Sequence, residues 1–140
     1  MKNLELPASA AWGLTVLRIA VGLVFVMHGG QKLFVWGFPG VTAAFTSMGI
    51  PLPALSAVVV TLVEFLGGIA YLAGFLTRWV AVPMAINMAV AILAVHLKGG
   101  FFLPHGYEYA LTLLAAHLTL AVAGAGALSI DGALARRSKT

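Results

Sequence analysis

The chain contains no cysteine, and only 9% of its 140 residues are charged. The first absence excludes a structural disulfide, thiol–disulfide chemistry, thiolate metal sites and Cys-held iron–sulfur clusters. The second excludes an ordinary soluble domain, which covers its surface with charge. No helix carries paired metal ligands at i, i+4, so no metal site is expected. The net charge of +4 comes largely from Arg136, Arg137 and Lys139 near the C-terminus. A basic tail at a membrane edge sets orientation, and nucleic-acid binding is not expected.

In place of charge there is apolar surface. Hydrophobic residues make up 61% of the chain, and the mean hydropathy is +1.04. Length allows one domain, residues 1–140. Four apolar runs stand out, at residues 12–34, 53–74, 78–97 and 107–128. Each has roughly the 20 residues a helix needs to cross a bilayer. The expected fold class is therefore all-α: an integral membrane four-helix bundle. Arg18 interrupts the first run and no cleavage-site pattern follows it, so this run is expected to stay in the mature protein. Four spans put both termini on one side, with Lys2, Arg78, Arg136, Arg137 and Lys139. Lys32 and Lys98 fall on the other. The positive-inside rule then makes the N and C termini cytoplasmic and the 1–2 and 3–4 loops external.

Within the 1–2 loop, Val41, Phe45 and Met48 fall on one apolar face between Pro39 and Gly49. This predicts a short interfacial helix over residues 39–48. Gly74 suits the end of the second helix and Thr77 the cap of the third. Ser129 or Asp131 suits the cap of a last short helix, residues 132–137. Gly22, Gly67, Gly68, Gly124 and Gly126 are expected where helices approach closely.

Ionisable residues inside apolar runs are costly, so each needs a protected place and a partner. Counted from the external ends, Glu64, Asn87 and His117 lie near one level, roughly 15 Å down. Arg18 starts deeper, but its long side chain can climb, and the expected ion pair is Arg18–Glu64. Around helix one, Lys32 lies within roughly 40° of Arg18 and His28 within roughly 80°. One side of that helix thus leads from mid-membrane to the external mouth. Nine residues separate Asn87 from His96, and nine separate Glu108 from His117, which places each pair on opposite faces. Arg18, Glu64 and His28 are the candidate catalytic residues. His28, Gln31, Lys32, Asn87, His96 and His117 are the candidate cofactor-binding residues. The Arg18–Glu64 pair reads equally as a lock between helices or as a site.

At these residues the chain resembles the DoxX family of small bacterial membrane proteins. The resemblance rests on Leu17-Arg18-Ile19-Ala20-Val21-Gly22-Leu23, His28-Gly29-Gly30-Gln31-Lys32-Leu33 and Val63-Glu64-Phe65-Leu66-Gly67-Gly68. It continues through Gly74-Phe75-Leu76-Thr77-Arg78, then His96 with Gly106-Tyr107-Glu108-Tyr109, and ends on residues 124–131. It implies a multi-pass protein of the bacterial inner membrane, linked to oxidoreductase complexes and oxidative stress. The leading functional expectation is a quinone-linked oxidoreductase subunit. A quinone site needs an apolar slot, hydrogen-bond donors for two oxygens and a proton route. The alternatives are a non-catalytic anchor or assembly subunit, and a small-molecule or proton-coupled transporter. Haem is disfavoured, because no two histidines share a depth. The expected partners are membrane lipid, redox partner subunits and further copies of the chain.

Overall fold

A computed structural model describes residues 7–138. Lys2 and Lys139, counted above in the charge balance, lie outside the described residues. The elements follow the apolar runs. Helix α1 covers Ala8–Gly30 and continues as a π-helical stretch, Gln31–Trp36. Gly37, at φ 66°, turns the chain into α2, Gly37–Ser47. Helix α3 covers Pro53–Ala73, with proline in its first turn, where the missing N–H costs nothing. Gly74 ends it in the left-handed region. Helix α4 covers Thr77–Ala91 and continues through a π-helical stretch, Ile92–His96, to a short turn at Leu97–Gly99. Helix α5 covers Glu108–Ala123 and α6 covers Ile130–Arg137.

The protein is thus an all-α, multi-pass membrane protein. Among the described residues, three helical stretches are long and apolar enough to cross a bilayer: Ala8–Ser47, Pro53–Ala73 and Thr77–Gly99. The fourth apolar run is shorter than its sequence suggests. It stops at Ala123, not residue 128, because Gly124 and Gly126 both take positive φ and turn the chain out of the helix. These glycines do not serve a helix face. A Cβ on Gly126 would lie 2.6 Å from Ala11 O and from Thr15 Oγ1, so only glycine lets this segment lie against α1.

Helix α1 runs against α3, and α4 against α5. The α1–α3 contact is made by backbone meeting backbone. A Cβ on Gly29 would fall 2.5 Å from Phe65 N, and one on Gly68 would fall 2.6 Å from Val26 N. Such close approach maximises dispersion contact where lipid offers no hydrophobic drive for helices to associate. A common core draws on four helices: Val21 and Phe25, Tyr71, Met84 and Met88, and Leu113 and Leu120.

One cap differs from expectation, and of the two residues offered for the last helix one is chosen. Thr77 does not cap α4. The Asp131 carboxylate does, accepting from Leu76 N at 2.7 Å and Thr77 N at 2.9 Å. With Asp131 occupied there, Ser129 caps α6, accepting from Gly132 N at 3.1 Å. The apolar face of α2 is also turned inward. Val41 is buried, and Phe45 and Met48 face a cavity, because α2 folds against α3.

Candidate functional site

The Arg18–Glu64 pair does not form. Gly22 meets Leu72 and Gly29 meets Phe65, which sets an antiparallel register between α1 and α3. In that register Arg18 comes level with residues just beyond the end of α3, whereas Glu64 comes level with Gly30. The offset is about 12 residues, or roughly 18 Å along the helix axis. No side chain spans that distance. The depth estimate failed because α3 extends beyond the end of α1: the 1–2 connection carries α2, which packs on the first turns of α3.

Arg18 instead points toward the end that carries both termini. It is almost completely buried, at 1% exposure. Its Nε donates to Ala125 O at 2.9 Å and its Nη2 to Leu128 O at 2.5 Å. Its Nη1 donates to Tyr71 O and, at 3.1 Å, to Leu72 O. The acceptors are carbonyls in the last turn of α3, where Tyr71 O also accepts from Gly74 N, and in the irregular segment after α5. The last turn of a helix leaves its carbonyls without the regular intrahelical partner. One guanidinium thus holds three parts of the chain together. Thr15 adds to this clasp, accepting from Ala127 N at 3.0 Å and Leu128 N at 3.3 Å.

Glu64 finds other partners. Its Oε2 accepts from Lys32 Nζ in an ion pair, and its Oε1 accepts from Asn87 Nδ2 at 3.0 Å. The side chains of Lys32 and Glu64 are only 14% and 6% exposed. Three helical stretches therefore meet at one carboxylate: the π-helical end of α1, α3 and α4. The equal depth of Glu64 and Asn87 was legible from counting residues. The pairing of Lys32 with Glu64 was not, since Arg18 is the expected partner and Lys32 a candidate for the cofactor.

This cluster borders a cavity of about 720 Å³ at the end opposite the termini. The walls are mainly apolar and include Val24, Phe25, Val59, Val60, Met88 and Leu113. Trp36, Phe45, Met48, Leu103 and Pro104 line it as well. His28, Ser56, His96 and Tyr109 complete the polar lining. His96 and Asn87 both face the cavity, contrary to their nine-residue spacing. The π-helical stretch Ile92–His96 turns less per residue than an α-helix, which rotates His96 back toward Asn87. Both π-helical stretches contribute to this one cavity, through Lys32 and Trp36 on one and Ala94, Val95 and His96 on the other.

Of the predicted residues, His28, Lys32, Glu64, Asn87 and His96 are brought together. Gln31 is exposed and lies outside the cavity lining. His117 is fully buried and is also outside the lining, although Phe25, which lines the cavity, packs against it at a tilt with ring centroids 5.0 Å apart. His117 Nδ1 lies 2.9 Å from Tyr71 Oη in a hydrogen bond that sequence reasoning missed. Among the described residues, no three His, Cys, Asp or Glu side chains cluster so as to hold a metal ion.

Fold and site together define a class: a small multi-pass helical membrane protein with an apolar cavity built over a carboxylate, an ammonium and an amide. The DoxX family model matches residues 13–97, and the chain belongs to the DoxX family. It is 34% identical over 119 residues to "Putative oxidoreductase CatD" of Bacillus subtilis, covering 85% of this chain and 84% of that protein. It is 32% identical over 124 residues to the inner membrane protein YphA of Escherichia coli, covering 84% and 87%. It is 34% identical over 131 residues to the inner membrane protein YqjF of the same organism, covering 89% and 94%. No solved structure matches. The protein is a multi-pass protein of a bacterial inner membrane.

Proposed function

We propose that the protein is a quinone-linked oxidoreductase subunit, with the cavity above Glu64 as its quinone site. The supporting observation is the combination of volume and lining. A cavity of about 720 Å³ lies within the roughly 300–1,000 Å³ range of small-molecule sites, and its apolar walls with few convergent polar groups are typical of them. The donor set fits a quinone. Lys32 has three N–H donors and Asn87 two, so each keeps donors beyond those used on Glu64. These donors would hold the carbonyl oxygens. The Glu64 carboxylate would hold a proton at the polar end, and His28 and His96 would carry protons toward the mouth. A quinone supplies two-electron, two-proton redox chemistry when bound. Trp36, Phe45 and Met48 would exclude water from the ring. The oxidoreductase name carried by CatD supports the same reading. A redox partner subunit would supply the electrons.

In this reading α5 also crosses the membrane, completing a four-helix bundle. Both termini are cytoplasmic and the cavity opens externally. The arrangement of charge supports this orientation. Arg78, Arg136 and Arg137 belong to the terminus-bearing end, and Lys32 and Lys98 to the other.

Trp36 supplies the test, because it lines the cavity. Trp12 and Trp79 are changed to Phe, and the purified protein is titrated with short-chain ubiquinone and menaquinone analogues. Saturable quenching of Trp36 is expected, weakened about tenfold or more by Glu64→Gln, the equivalent of about 1.4 kcal/mol. Absence of saturable quenching, with no quinone in lipid extracts of the purified protein, rules the reading out.

A further inference from the structure

A second cavity, of about 470 Å³, lies at the end that carries the termini. The start of α4, the segment after α5 and helix α6 form it, and its lining includes Arg78, Trp79, Gly124, Asp131 and Gly132. Arg78 lies along the glycine side of the cavity: a Cβ on Gly124 would come within 3.0 Å of its Nε. Arg136 folds back along α6 to the edge, with its Nη1 3.6 Å from where a Cβ on Gly132 would sit. Two guanidinium groups thus border one cavity.

Neither group has its hydrogen-bonding capacity filled. Arg78 makes one long contact, Nη2 to Ala123 O at 3.4 Å, out of five N–H donors. Asp131 is the acid in the lining, but its two carboxylate oxygens accept from Leu76 N and Thr77 N. It is committed to capping α4 and does not pair with either arginine. The cavity therefore keeps a positive balance with free planar donors, the arrangement that grips phosphate oxygens.

The surroundings indicate where the phosphate comes from. Trp79, in the lining, is 77% exposed. It stands at the start of a stretch long and apolar enough to cross the bilayer, the level at which tryptophan settles among headgroups. On α6, Ile130 and Leu134 are exposed one turn apart, forming an apolar strip that suits the headgroup boundary. Basic pockets at the ends of membrane helices bind anionic headgroups.

We propose that this cavity is a binding site for the phosphate of an anionic phospholipid, held by Arg78 and Arg136 with Trp79 at the acyl side. The site is distinct from the cavity above Glu64 and does not depend on any redox function. Bound lipid ties α6 to the start of α4 and fixes the terminus-bearing end at the membrane surface.

The test is native mass spectrometry of the full-length protein released from micelles containing equal phosphatidylglycerol and phosphatidylcholine. The wild-type protein retains phosphatidylglycerol selectively. Arg78→Gln and Arg136→Gln each weaken retention about fivefold, and together about 25-fold. Arg78→Lys and Arg136→Lys, which keep the charge but lose the planar fork, fall between the wild type and the Gln variants. Arg136 is exposed on α6, so Arg136→Gln remains informative if Arg78→Gln does not fold. Equal retention of the two lipids overturns the proposal, as does unchanged selectivity in Arg136→Gln. Displacement of phosphatidylglycerol by excess inorganic phosphate overturns the assignment to lipid.

Discussion

The Lys32–Glu64–Asn87 cluster can be tested by a double-mutant cycle that separates a structural lock from a binding site. Lys32→Met removes the ammonium and leaves a carboxylate that is 6% exposed, with Asn87 as its remaining partner. Glu64→Met leaves the ammonium of Lys32, 14% exposed, without its counter-ion. Removing one member of a buried ion pair costs about 3–5 kcal/mol, because the surviving charge stays desolvated. Each single change should therefore cost about 3 kcal/mol, the lower end, since the mouth of the cavity is open to solvent. The double change behaves differently. Replacing a whole buried pair by apolar groups of similar volume is close to neutral. What remains is the Asn87 amide, which loses its acceptor at a cost of about 1–3 kcal/mol. Glu64→Met alone strips the same amide of its acceptor, so this cost stands in that single and in the double and cancels in the cycle; the coupling is at least about 3 kcal/mol. Reversible unfolding in mixed micelles measures all four corners. Coupling below about 0.5 kcal/mol, the scatter expected of independent sites, would refute the ion pair as the organising contact. If the double variant folds and still binds the quinone analogue with unchanged affinity, the cluster is a lock and the site reading fails.

Two further predictions concern the rest of the molecule. Arg18→Met should destabilise the protein by several kcal/mol, on the order of 3–5, because buried carbonyls at Ala125 and Tyr71 and a part-buried one at Leu128 lose charge-assisted donors; thermal unfolding in detergent measures it, and a loss under about 1 kcal/mol contradicts the clasp. The chain has no cysteine, so single cysteines at Ser138 and Phe102 report topology cleanly. An impermeant maleimide added to intact cells should label Phe102→Cys and spare Ser138→Cys, and the reverse pattern inverts the proposed orientation.

The two charged groups inside the apolar runs show how far residue counting reaches. Glu64 and Asn87 were placed at one depth by counting inward, and they are hydrogen-bonded. Both belong to helices that begin or end near the same surface, so the count measures a shared coordinate. Arg18 was placed by the same rule and misjudged. Its height relative to Glu64 depends on how α1 slides along α3, and that is fixed by contacts of Gly22, Gly29 and Gly68 with the facing backbone. His96 was misjudged for a local reason: its spacing from Asn87 assumes a uniform helix, and the intervening π-helical stretch is not one. The inward turn of the Val41, Phe45 and Met48 face was also illegible, since an apolar face suits lipid and protein equally.

The amino-acid sequence by itself determined that this is a membrane protein, where its apolar runs lie, and that Arg18 and Glu64 must each find a partner. Those conclusions follow from transfer free energies, which depend on residue type and local order. Tertiary structure alone decided the partners. Arg18 serves carbonyls at the terminus-bearing end, and Glu64 draws Lys32 and Asn87 to the floor of an apolar cavity. Helix register sets those partners, and register comes from close packing between surfaces far apart in the chain.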